Sequence, residues 1–406
     1  MEIMKRILWP RHRSRENRSG ATAFIGIGVA LWFLSTLSAC AFMPFRRYAP
    51  GSAPPSAASP SSPTSVNAAF PAPAPGPDGW WVLAQRLPQS DFGPAFAYFL
   101  APANIHVDSL LPQSRALVAV PPVCPQPRGI QDVRLAPAGG KLAIFCGPEE
   151  EHRFWVWDLS HGRVYPVTVA GNLPLDRGEE ISLARENPLW SSDGQEILVK
   201  VTASYVAAVN VHTHQLDIHG PIRGIPLAWD PQGRYLAEGV YDEFVPASDG
   251  SKQYGISHFY LLDWSTGEEK RWRIPPAARK FLPPGEKCQI SDYQQSVGWE
   301  PRTGNSFLFI VACSAQQEQN QNTQYVFLMD RSAEHVQKLW ETTESGYLTA
   351  LWAPGGEGVL LQILHLNARG VPQDGDAVFL DLRGRAMRTW HEFLVSKMEV
   401  IEWGAP

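Results

Sequence analysis

The sequence predicts an all-β fold, a six-bladed β-propeller of four-stranded antiparallel blades. Three observations lead to this fold class. Beyond its N-terminal region, the 406-residue chain carries short runs rich in Val, Ile, Leu, Phe, Trp and Tyr, each bounded by turn residues. Charged residues make up only 18% of the chain while Pro (36) and Gly (33) are abundant, which favours strands joined by turns over surface helices. The third observation is a phrase built on Trp that recurs along the chain.

Each copy of this phrase contains four apolar runs. The first run ends in Trp and is followed by a Pro/Asp/Gly turn and a second run, and after a gap a third run closes on Asp before a tight turn and a last short run. Leu135 takes the Trp place in the first complete copy, and the later copies are anchored at Trp190, Trp229, Trp299 and Trp352, at intervals of 39 to 70 residues. Asp-Gly and Pro-x-Gly supply the positive φ that tight hairpins require. Each copy therefore predicts one four-stranded blade.

The sixth copy is split between the two ends of the sequence. Residues 398–406, "MEVIEWGAP", have the form of an inner strand with its turn, and residues 76–87, "GPDGWWVLAQRL", begin at a turn and continue as the second strand. Residues 96–102 and 116–120 supply the third and fourth strands. Joining both ends in one blade closes the ring and removes exposed sheet edges, so we expect the last blade to be closed by N- and C-terminal strands.

The repeat over residues 78–406 resembles the TolB-type propeller repeat, in which a W-S-P-D-G turn is followed later by V-x-D-L. "LWSSDG" at Trp190 and "AWDPQG" at Trp229 carry this resemblance, which is also WD-repeat-like. The resemblance implies the propeller fold. The separate N-terminal α/β domain of TolB has no counterpart in this sequence, so nothing about the partners of TolB carries over.

The N-terminal residues have the form of an export signal. Residues 1–20 are basic, and residues 21–40 are apolar and uncharged. The end of this stretch, Leu37-Ser38-Ala39-Cys40, resembles the lipobox of bacterial lipoproteins, which implies that the Cys40 thiol is acylated and becomes the new N-terminus. Residue 41 is Ala, not the Asp that retains lipoproteins at an inner membrane. The alternative is an uncleaved anchor, because residues 21–45 are long enough to span a bilayer of about 30 Å.

Both alternatives place the rest of the chain outside the cytoplasm, tethered to the cell membrane or an outer membrane by a lipid or an N-terminal helix. Residues 41–77 are expected to form a Pro/Ala/Ser-rich linker. Nine Pro and no charged side chain occur within residues 48–77, so this stretch cannot bury apolar surface and is expected to be extended or disordered. The expected organisation is a signal at 1–40, the linker at 41–77 and the propeller at 78–406.

Four cysteines remain besides Cys40, an even number that predicts two disulfides in an exported protein. Cys124 and Cys288 each lie 11 residues before the anchor of their copy, and Cys146 and Cys313 follow their anchors by 11 and 14 residues. Two blades therefore carry cysteines at the start of the inner strand and the end of the second strand. These ends are adjacent across a hairpin, so the repeat predicts the pairs Cys124–Cys146 and Cys288–Cys313. The alternative is four buried free thiols.

The charge distribution argues against a nucleic-acid partner. The net charge is −5, but the first 47 residues hold eight Lys/Arg and two Glu, so the remainder carries 27 basic and 38 acidic side chains, a net charge of −11. Nucleic-acid binding needs a basic surface, which this part of the chain lacks. We expect instead a protein, peptide or glycan partner.

The long connections between strands are expected on one face, which we call the loop-bearing face. In a four-stranded meander, the connection between strands two and three shares a face with the connection between blades, whereas tight turns occupy the other face. The long connections are predicted at residues 147–153, 171–187, 241–257, 275–295, 314–324 and 367–376. Since the linker enters at a tight turn, this face should point away from the membrane.

Binding usually resides in loops that a rigid scaffold positions, so the loop-bearing face is the expected binding face. Its acidic side chains would suit a basic or cationic partner, with an ordinary solvated rim as the alternative. The candidate binding residues are Glu149, Glu150, Glu151, Asp176, Glu179, Glu180, Asp242, Glu243 and Asp249.

No catalytic residue, metal site or cofactor is predicted. The sequence has no Ser nucleophile elbow, HExxH motif or phosphate-cradling Gly loop. His212 and His214, with His219 nearby, are the best metal candidates, but they fall at a tight turn without a carboxylate cluster. Acids that recur at the end of the third strand are typical of turn caps. These residues are Asp158, Asp263, Asp330 and Asp381, with Asn210 in the same place.

Three functions remain open from the sequence. The first is a non-enzymatic, membrane-tethered binding module, and the second is a hydrolase or lyase acting on an envelope or extracellular substrate, which the fold alone does not exclude. The third is an assembly subunit of a membrane complex. A deep central pocket with two buried carboxylates of shifted pKa would favour the enzyme, and a shallow, aromatic or loop-covered face would favour binding.

Overall fold

The computed structural model describes most of the chain from residue 69 onward. The described residues belong to one compact unit that spans residues 64–406. They are residues 69–87, 96–106, 116–125, 129–146, 153–169, 188–201, 205–220, 222–246, 252–273, 276–284, 287–291, 297–314, 322–343, 346–366, 372–391 and 398–406.

Nearly all regular structure in the described residues is β-strand. In chain order the elements are β1 (Trp80–Arg86), β2 (Phe96–Pro102), β3 (Val118–Ala119), β4 (Ile130–Leu135), β5 (Lys141–Cys146), β6 (Arg153–Asp158), β7 (Arg163–Thr168), β8 (Leu189–Trp190), β9 (Glu196–Lys200), β10 (Val206–Asn210), β11 (Leu216–His219), β12 (Ile225–Trp229), β13 (Tyr235–Pro246), β14 (Lys252–Asp263), β15 (Glu269–Arg273), α1 (Pro276–Arg279), β16 (Lys287–Ile290), β17 (Val297–Trp299), β18 (Ser306–Ser314), β19 (Asn322–Asp330), β20 (Val336–Thr342), β21 (Gly346–Trp352), β22 (Gly358–Leu366), β23 (Pro372–Asp381), β24 (Ala386–Trp390) and β25 (Met398–Gly404).

These strands form the predicted six-bladed propeller. Blades 1, 2 and 5 are the antiparallel sheets β4–β7, β8–β11 and β21–β24. Blades 3 and 4 are β12–β15 and β17–β20, and blade 6 has the order β25-β1-β2-β3. The inner strands β4, β8, β12, β17, β21 and β25 contact one another in that cyclic order, so they enclose a central channel.

Strand β25 closes the ring from the C-terminal end. It pairs antiparallel with β1, with Trp81 opposite Trp403, and a bulge interrupts the pairing after Val82. Beyond the strand, the backbone N–H of Ala405 donates to the Pro137 carbonyl in the first turn of blade 1 at 3.0 Å. The two ends of the sequence therefore complete one blade and contact the next, as predicted.

The middle strands of each blade are buried on both faces. Residues 142–146 of β5 and residues 307–311 of β18 are each consecutively buried. A blade packs between two other blades, so its central strands lose the alternation of a half-exposed sheet and become unbroken apolar runs. This packing explains why second strands such as "KLAIFC" carry no polar face.

Two of the recurring Trp residues form hydrogen bonds to the preceding blade. The Trp190 indole N–H donates to the Arg134 carbonyl of blade 1 at 2.8 Å, and the Trp352 indole donates to the Gly298 carbonyl of blade 4 at 3.1 Å. Each acceptor directly precedes the anchor residue of the preceding blade. In these two blades the Trp ring supplies both apolar contact and a donor that bonds to the preceding blade, whereas the Trp403 indole donates to a carbonyl of its own blade.

The acids that close the third strand cap the tight turns, as predicted. Asp381, for example, accepts hydrogen bonds from the backbone N–H groups of Arg383 and Arg385, both at 2.9 Å. The corresponding bonds occur at Asp158, Asp263, Asp330 and Asn210.

Both predicted disulfides are present, Cys124–Cys146 in blade 1 and Cys288–Cys313 in blade 4. These blades lie three places apart in a ring of six, so the two disulfides are on opposite sides of the channel. The second disulfide holds β16, which also pairs with β14 at Ile290 and Ile256. Strand β16 thereby merges blades 3 and 4 into one nine-stranded sheet.

Two predicted long connections contain regular structure. Strands β13 and β14 continue as a paired arm to Pro246 and Lys252, so much of the connection at residues 241–257 is a long hairpin. The connection at residues 275–295 contains α1 and β16. In both places local pairing extends beyond the blade, which the repeat pattern did not predict. The first connection joins strands two and three of blade 3, and the second joins blade 3 to blade 4. These are the kinds of connection that are expected on the loop-bearing face.

The last residues of the predicted linker lie against the propeller. The Phe70 N–H donates to the Gly162 carbonyl at 2.8 Å, and the Trp157 indole donates to the Phe70 carbonyl at 2.9 Å. The Trp80 indole donates to the Pro73 carbonyl at 3.2 Å. This segment therefore crosses the tight-turn face of blade 1.

No helix in the described part of the chain is long and apolar enough to cross a membrane, and the predicted export signal with Cys40 lies outside that part.

Candidate functional site at the end of the channel

A cavity of about 200 Å³ lies at one end of the central channel. Its walls come from all six blades, from the last residues of each inner strand and from prolines near them, such as Pro137, Pro301 and Pro354. Inner strands run from the loop-bearing face towards the tight turns, so this cavity lies at the tight-turn end. We call it the channel-end cavity.

The walls of the channel-end cavity are mainly aromatic and aliphatic. Five of the six blades contribute a Trp at the anchor place, and Leu135 occupies it in blade 1. Trp229 and Trp352 are half-buried, so parts of their surfaces remain accessible. The five rings are Trp190, Trp229, Trp299, Trp352 and Trp403.

Charge enters the cavity where blades 1 and 6 meet. Arg134 on β4 places Nη1 at 2.9 Å from Glu402 Oε1 on β25 and Nη2 at 2.8 Å from Asp132 Oδ2. The side chains of Arg134, Asp132 and Glu402 are 12%, 19% and 23% exposed. Arg134 and Glu402 line the cavity, so this triad adds a polar patch to an otherwise apolar wall.

Burial shifts the proton affinities of this triad. It raises the pKa of Glu402 to about 7, although Arg134 acts in the opposite direction, and it also raises the pKa of Asp132. Burial alone would lower the pKa of the Arg134 guanidinium, but the charges of Asp132 and Glu402 outweigh it and raise that pKa. The triad therefore carries one net negative charge when both acids are ionised and none when one is protonated.

The dimensions of the cavity limit what it accepts. Pockets for small organic ligands usually have volumes of about 300–1,000 Å³. A cavity of about 200 Å³ is suited to a single side chain or a comparably small group. Both carboxylates are bonded to the same guanidinium, so they do not face each other across an open space, as a general acid and base usually do.

The described residues do not test the acidic residues predicted for the loop-bearing face. The backbones of Asp242 and Glu243 belong to the β13–β14 arm, where they pair with Gly255 and Tyr254. Their side chains lie outside what the structure describes. The remaining candidates, Glu149, Glu150, Glu151, Asp176, Glu179, Glu180 and Asp249, also lie outside the described residues, so binding at this face stays a prediction.

The histidines considered as metal ligands have other neighbours. His219 lies 3.0 Å from Asp217 and packs against Trp264, with ring centroids 3.7 Å apart. The His212 ring stacks near Tyr165 at 6.5 Å. Within the described ranges, no three His, Cys, Asp or Glu side chains are grouped as metal ligands would be.

The charged triad was not predicted, but the repeat holds a signal for it. The residue before the anchor is Leu189, Ala228, Gly298 and Leu351 in blades 2 to 5. It is Arg134 in blade 1 and Glu402 in blade 6, which are neighbours in the closed ring. Opposite charges at one repeat position in adjacent blades indicate an ion pair between the blades.

Comparison with solved structures finds chains of low sequence identity, some of them propellers. An oligogalacturonate lyase in complex with manganese is 12% identical, with 79% of this chain and 75% of that chain covered and a TM-score of 0.41. The β-propeller domain of Myceliophteria thermophila Cps50 (Swd1) is 13% identical over 63% and 67%, with a TM-score of 0.37. A nidogen/laminin complex is 9% identical over 80% and 97%, with a TM-score of 0.45. These similarities concern the fold alone.

No protein-family model matches the sequence, and no curated protein matches it significantly.

Proposed function

We propose that this protein is a membrane-tethered, extracytoplasmic β-propeller that binds a protein partner at the channel-end cavity. The observation that carries the proposal is the cavity itself, about 200 Å³ in volume, lined by Trp residues from five blades and by two members of the charged triad, Arg134 and Glu402. Aromatic side chains supply large contact areas and are enriched where proteins bind their partners. A cavity of this size would receive one side chain that the partner presents.

The disulfides support a location outside the cytoplasm. Structural disulfides persist in oxidising compartments and are rare in the cytosol. Cys124–Cys146 and Cys288–Cys313 occupy the same place in two opposite blades, which is the pattern of structural rather than catalytic bridges. Together with the predicted export signal and the resemblance of residues 37–40 to a lipobox, they favour a protein anchored in the cell envelope.

The hydrogen bonding of the two carboxylates favours a binding role over catalysis. Asp132 and Glu402 both bond to Arg134, and Asp132 does not line the cavity. A hydrolase or lyase is the second candidate, because Glu402 has a pKa near 7 and lies in the channel. In that case Glu402→Gln would abolish turnover of an envelope polymer while the fold stays intact.

Photocrosslinking from three exposed positions tests the proposed binding site. A benzophenone amino acid would replace Arg302 beside the channel-end cavity, Leu87 at the loop-bearing end of β1, or Met387 on outer strand β24. We expect one defined protein adduct from position 302 in cells and none from position 387. An adduct from position 87 alone would locate binding on the loop-bearing face and would refute binding at the channel-end cavity.

A further inference from the structure

We propose that the channel-end cavity accepts a cationic side chain, Lys or Arg, from the protein partner, with the Glu402 carboxylate as its counter-ion. This inference rests on the proposed function and names the chemistry of the group that is recognised. Four properties of the chain lead to it.

The charge balance of the triad favours a cation. Arg134 is one positive charge held between two carboxylates, so the ionised triad has one negative charge in excess. Buried charges are stable only when they are paired, and a cation in the cavity would supply the missing pair.

The geometry leaves Glu402 accessible to a ligand. Arg134 Nη1 bonds to Oε1 of Glu402, so Oε2 remains for a second donor. The side chain is 23% exposed and lines the cavity, whereas Asp132 is outside the lining. Glu402 is therefore the carboxylate that a side chain entering the cavity would contact.

The aromatic walls suit a cation as well. A Lys ammonium or Arg guanidinium is attracted to the face of Trp within about 6 Å of the ring centroid. Trp229 and Trp352 are half-buried in the wall of the cavity. A third Trp of the cavity wall already makes this contact, since the Arg331 guanidinium lies 5.6 Å from the Trp299 ring centroid.

Long-range electrostatics would favour the same partner. After residue 47 the chain has a net charge of −11, which raises the local concentration of basic partners and their association rate. A basic side chain would therefore meet a favourable potential before it reached the cavity.

Binding of a cation should be linked to proton release from Glu402. The charged groups that face Glu402 are Arg134 and Asp132, both on β4. With a pKa near 7 the empty site is partly protonated, and a Lys or Arg that arrives charged favours the ionised form. Affinity should therefore rise by about tenfold from pH 6 to pH 8.

The test uses small probes and the full-length protein in detergent. Tryptophan fluorescence would be titrated with N-acetyl-arginine methylamide, N-acetyl-lysine methylamide and, as the neutral isostere of arginine, N-acetyl-citrulline methylamide. We expect saturable binding of the two cations, at least tenfold weaker binding of the citrulline probe, and the stated increase with pH. Equal binding of arginine and citrulline probes, or no binding of either cation, would overturn the inference.

Two variants assign the binding to Glu402. Glu402→Gln should lose the preference for cations and the pH dependence, whereas Glu238→Gln should keep both, since Glu238 is buried outside the cavity and also has a pKa near 7. If Glu402→Gln fails to fold, the comparison of the arginine and citrulline probes in the unmodified protein still decides whether the cavity prefers a cation. If a partner crosslinks at position 302 but neither cationic probe binds, the proposal that the cavity accepts a cationic side chain is wrong. The proposed function, binding of a protein partner at the cavity, is then still supported.

Discussion

The side chain of Gln362 pairs with the backbone of Val400 as a neighbouring strand would. Its Nε2 donates to the Val400 carbonyl at 2.7 Å, and its Oε1 accepts from the Val400 N–H at 2.9 Å. Gln362 lies on β22 in blade 5, and Val400 lies on β25, the inner strand of blade 6. A buried amide thus holds β25 on the side that faces blade 5, and the ion pair between Arg134 and Glu402 holds it on the side that faces blade 1. Paired polar groups therefore close the ring on both sides of β25.

Replacement of Gln362 by Leu should destabilise the propeller by about 2–6 kcal/mol. The substitution leaves the buried N–H and carbonyl of Val400 without partners, and each unsatisfied group costs about 1–3 kcal/mol. Chemical denaturation of the purified protein measures the change. Gln337→Leu is the control, because the exposed Gln337 amide makes one bond between blades 4 and 5, to the Leu382 carbonyl, and its loss should cost under about 1 kcal/mol.

The indole bonds between blades should be measurable by Trp-to-Phe substitution. Trp190→Phe retains an aromatic ring but loses the bond to the Arg134 carbonyl, so it should cost roughly 1 kcal/mol more than Trp229→Phe. Trp229 has the same place in blade 3, and its buried indole N–H has no hydrogen-bond partner among the described residues. Equal losses in the two variants would mean that the ring contacts, not the indole bonds, fix Trp at this place.

Stability should fall as the pH rises from about 4.5 through 7. Burial raises the pKa of Glu238 and of Glu402 to about 7 from ordinary values near 4.5. Groups with a raised folded-state pKa stabilise the fold fully below the unfolded value, and this contribution is lost as the pH passes through the folded value.

Glu238→Gln should remove part of this pH dependence. Its Oε2 accepts the backbone N–H groups of Arg223 and Gly224, which a Gln oxygen can also accept. The stability of the variant relative to the unmodified protein should therefore increase between pH 5 and pH 8, by up to about 3 kcal/mol. Unfolding curves at the two pH values give the difference in free energy of unfolding between the variant and the unmodified protein. If this difference is the same at pH 5 and pH 8, ionisation of Glu238 does not destabilise the fold.

The two disulfides should contribute similarly to stability and differently to local structure. Sequence separations of 22 and 25 residues correspond to about 3 kcal/mol each. Cys288→Ser with Cys313→Ser should also increase amide exchange in β16, because the disulfide holds this short strand to β18. Cys124→Ser with Cys146→Ser is the matched control and should leave exchange in β16 unchanged.

The sequence was informative where a residue has a role inside its own blade. The Trp anchors, the Asp turn caps and the cysteine pairs recur at corresponding places in the repeat because each blade packs in the same way, and two of the Trp anchors also bond to the preceding blade. The split blade followed from the same regularity, since Met398–Gly404 has the form of the other inner strands.

Features that join different blades were not predictable in the same way. Arg134 and Glu402 are 268 positions apart and meet only because the ring closes. Strand β16 has four residues, and the repeat predicted only its contact with β18, through Cys288 and Cys313; its pairing with β14 of blade 3 depends on tertiary contacts. The channel-end cavity is built from such contacts, so the sequence pointed to the loop-bearing face instead.

The closing role of residues 398–406 is tested most directly by a chain that ends at residue 397. These residues supply the inner strand of blade 6 together with Glu402 and Trp403 of the channel-end cavity. The truncated protein should lose cooperative thermal unfolding, or melt at least 10 °C below the full-length protein. A truncated protein that melts at the same temperature as the full-length protein would contradict both the closure of the ring by β25 and the cavity that depends on it.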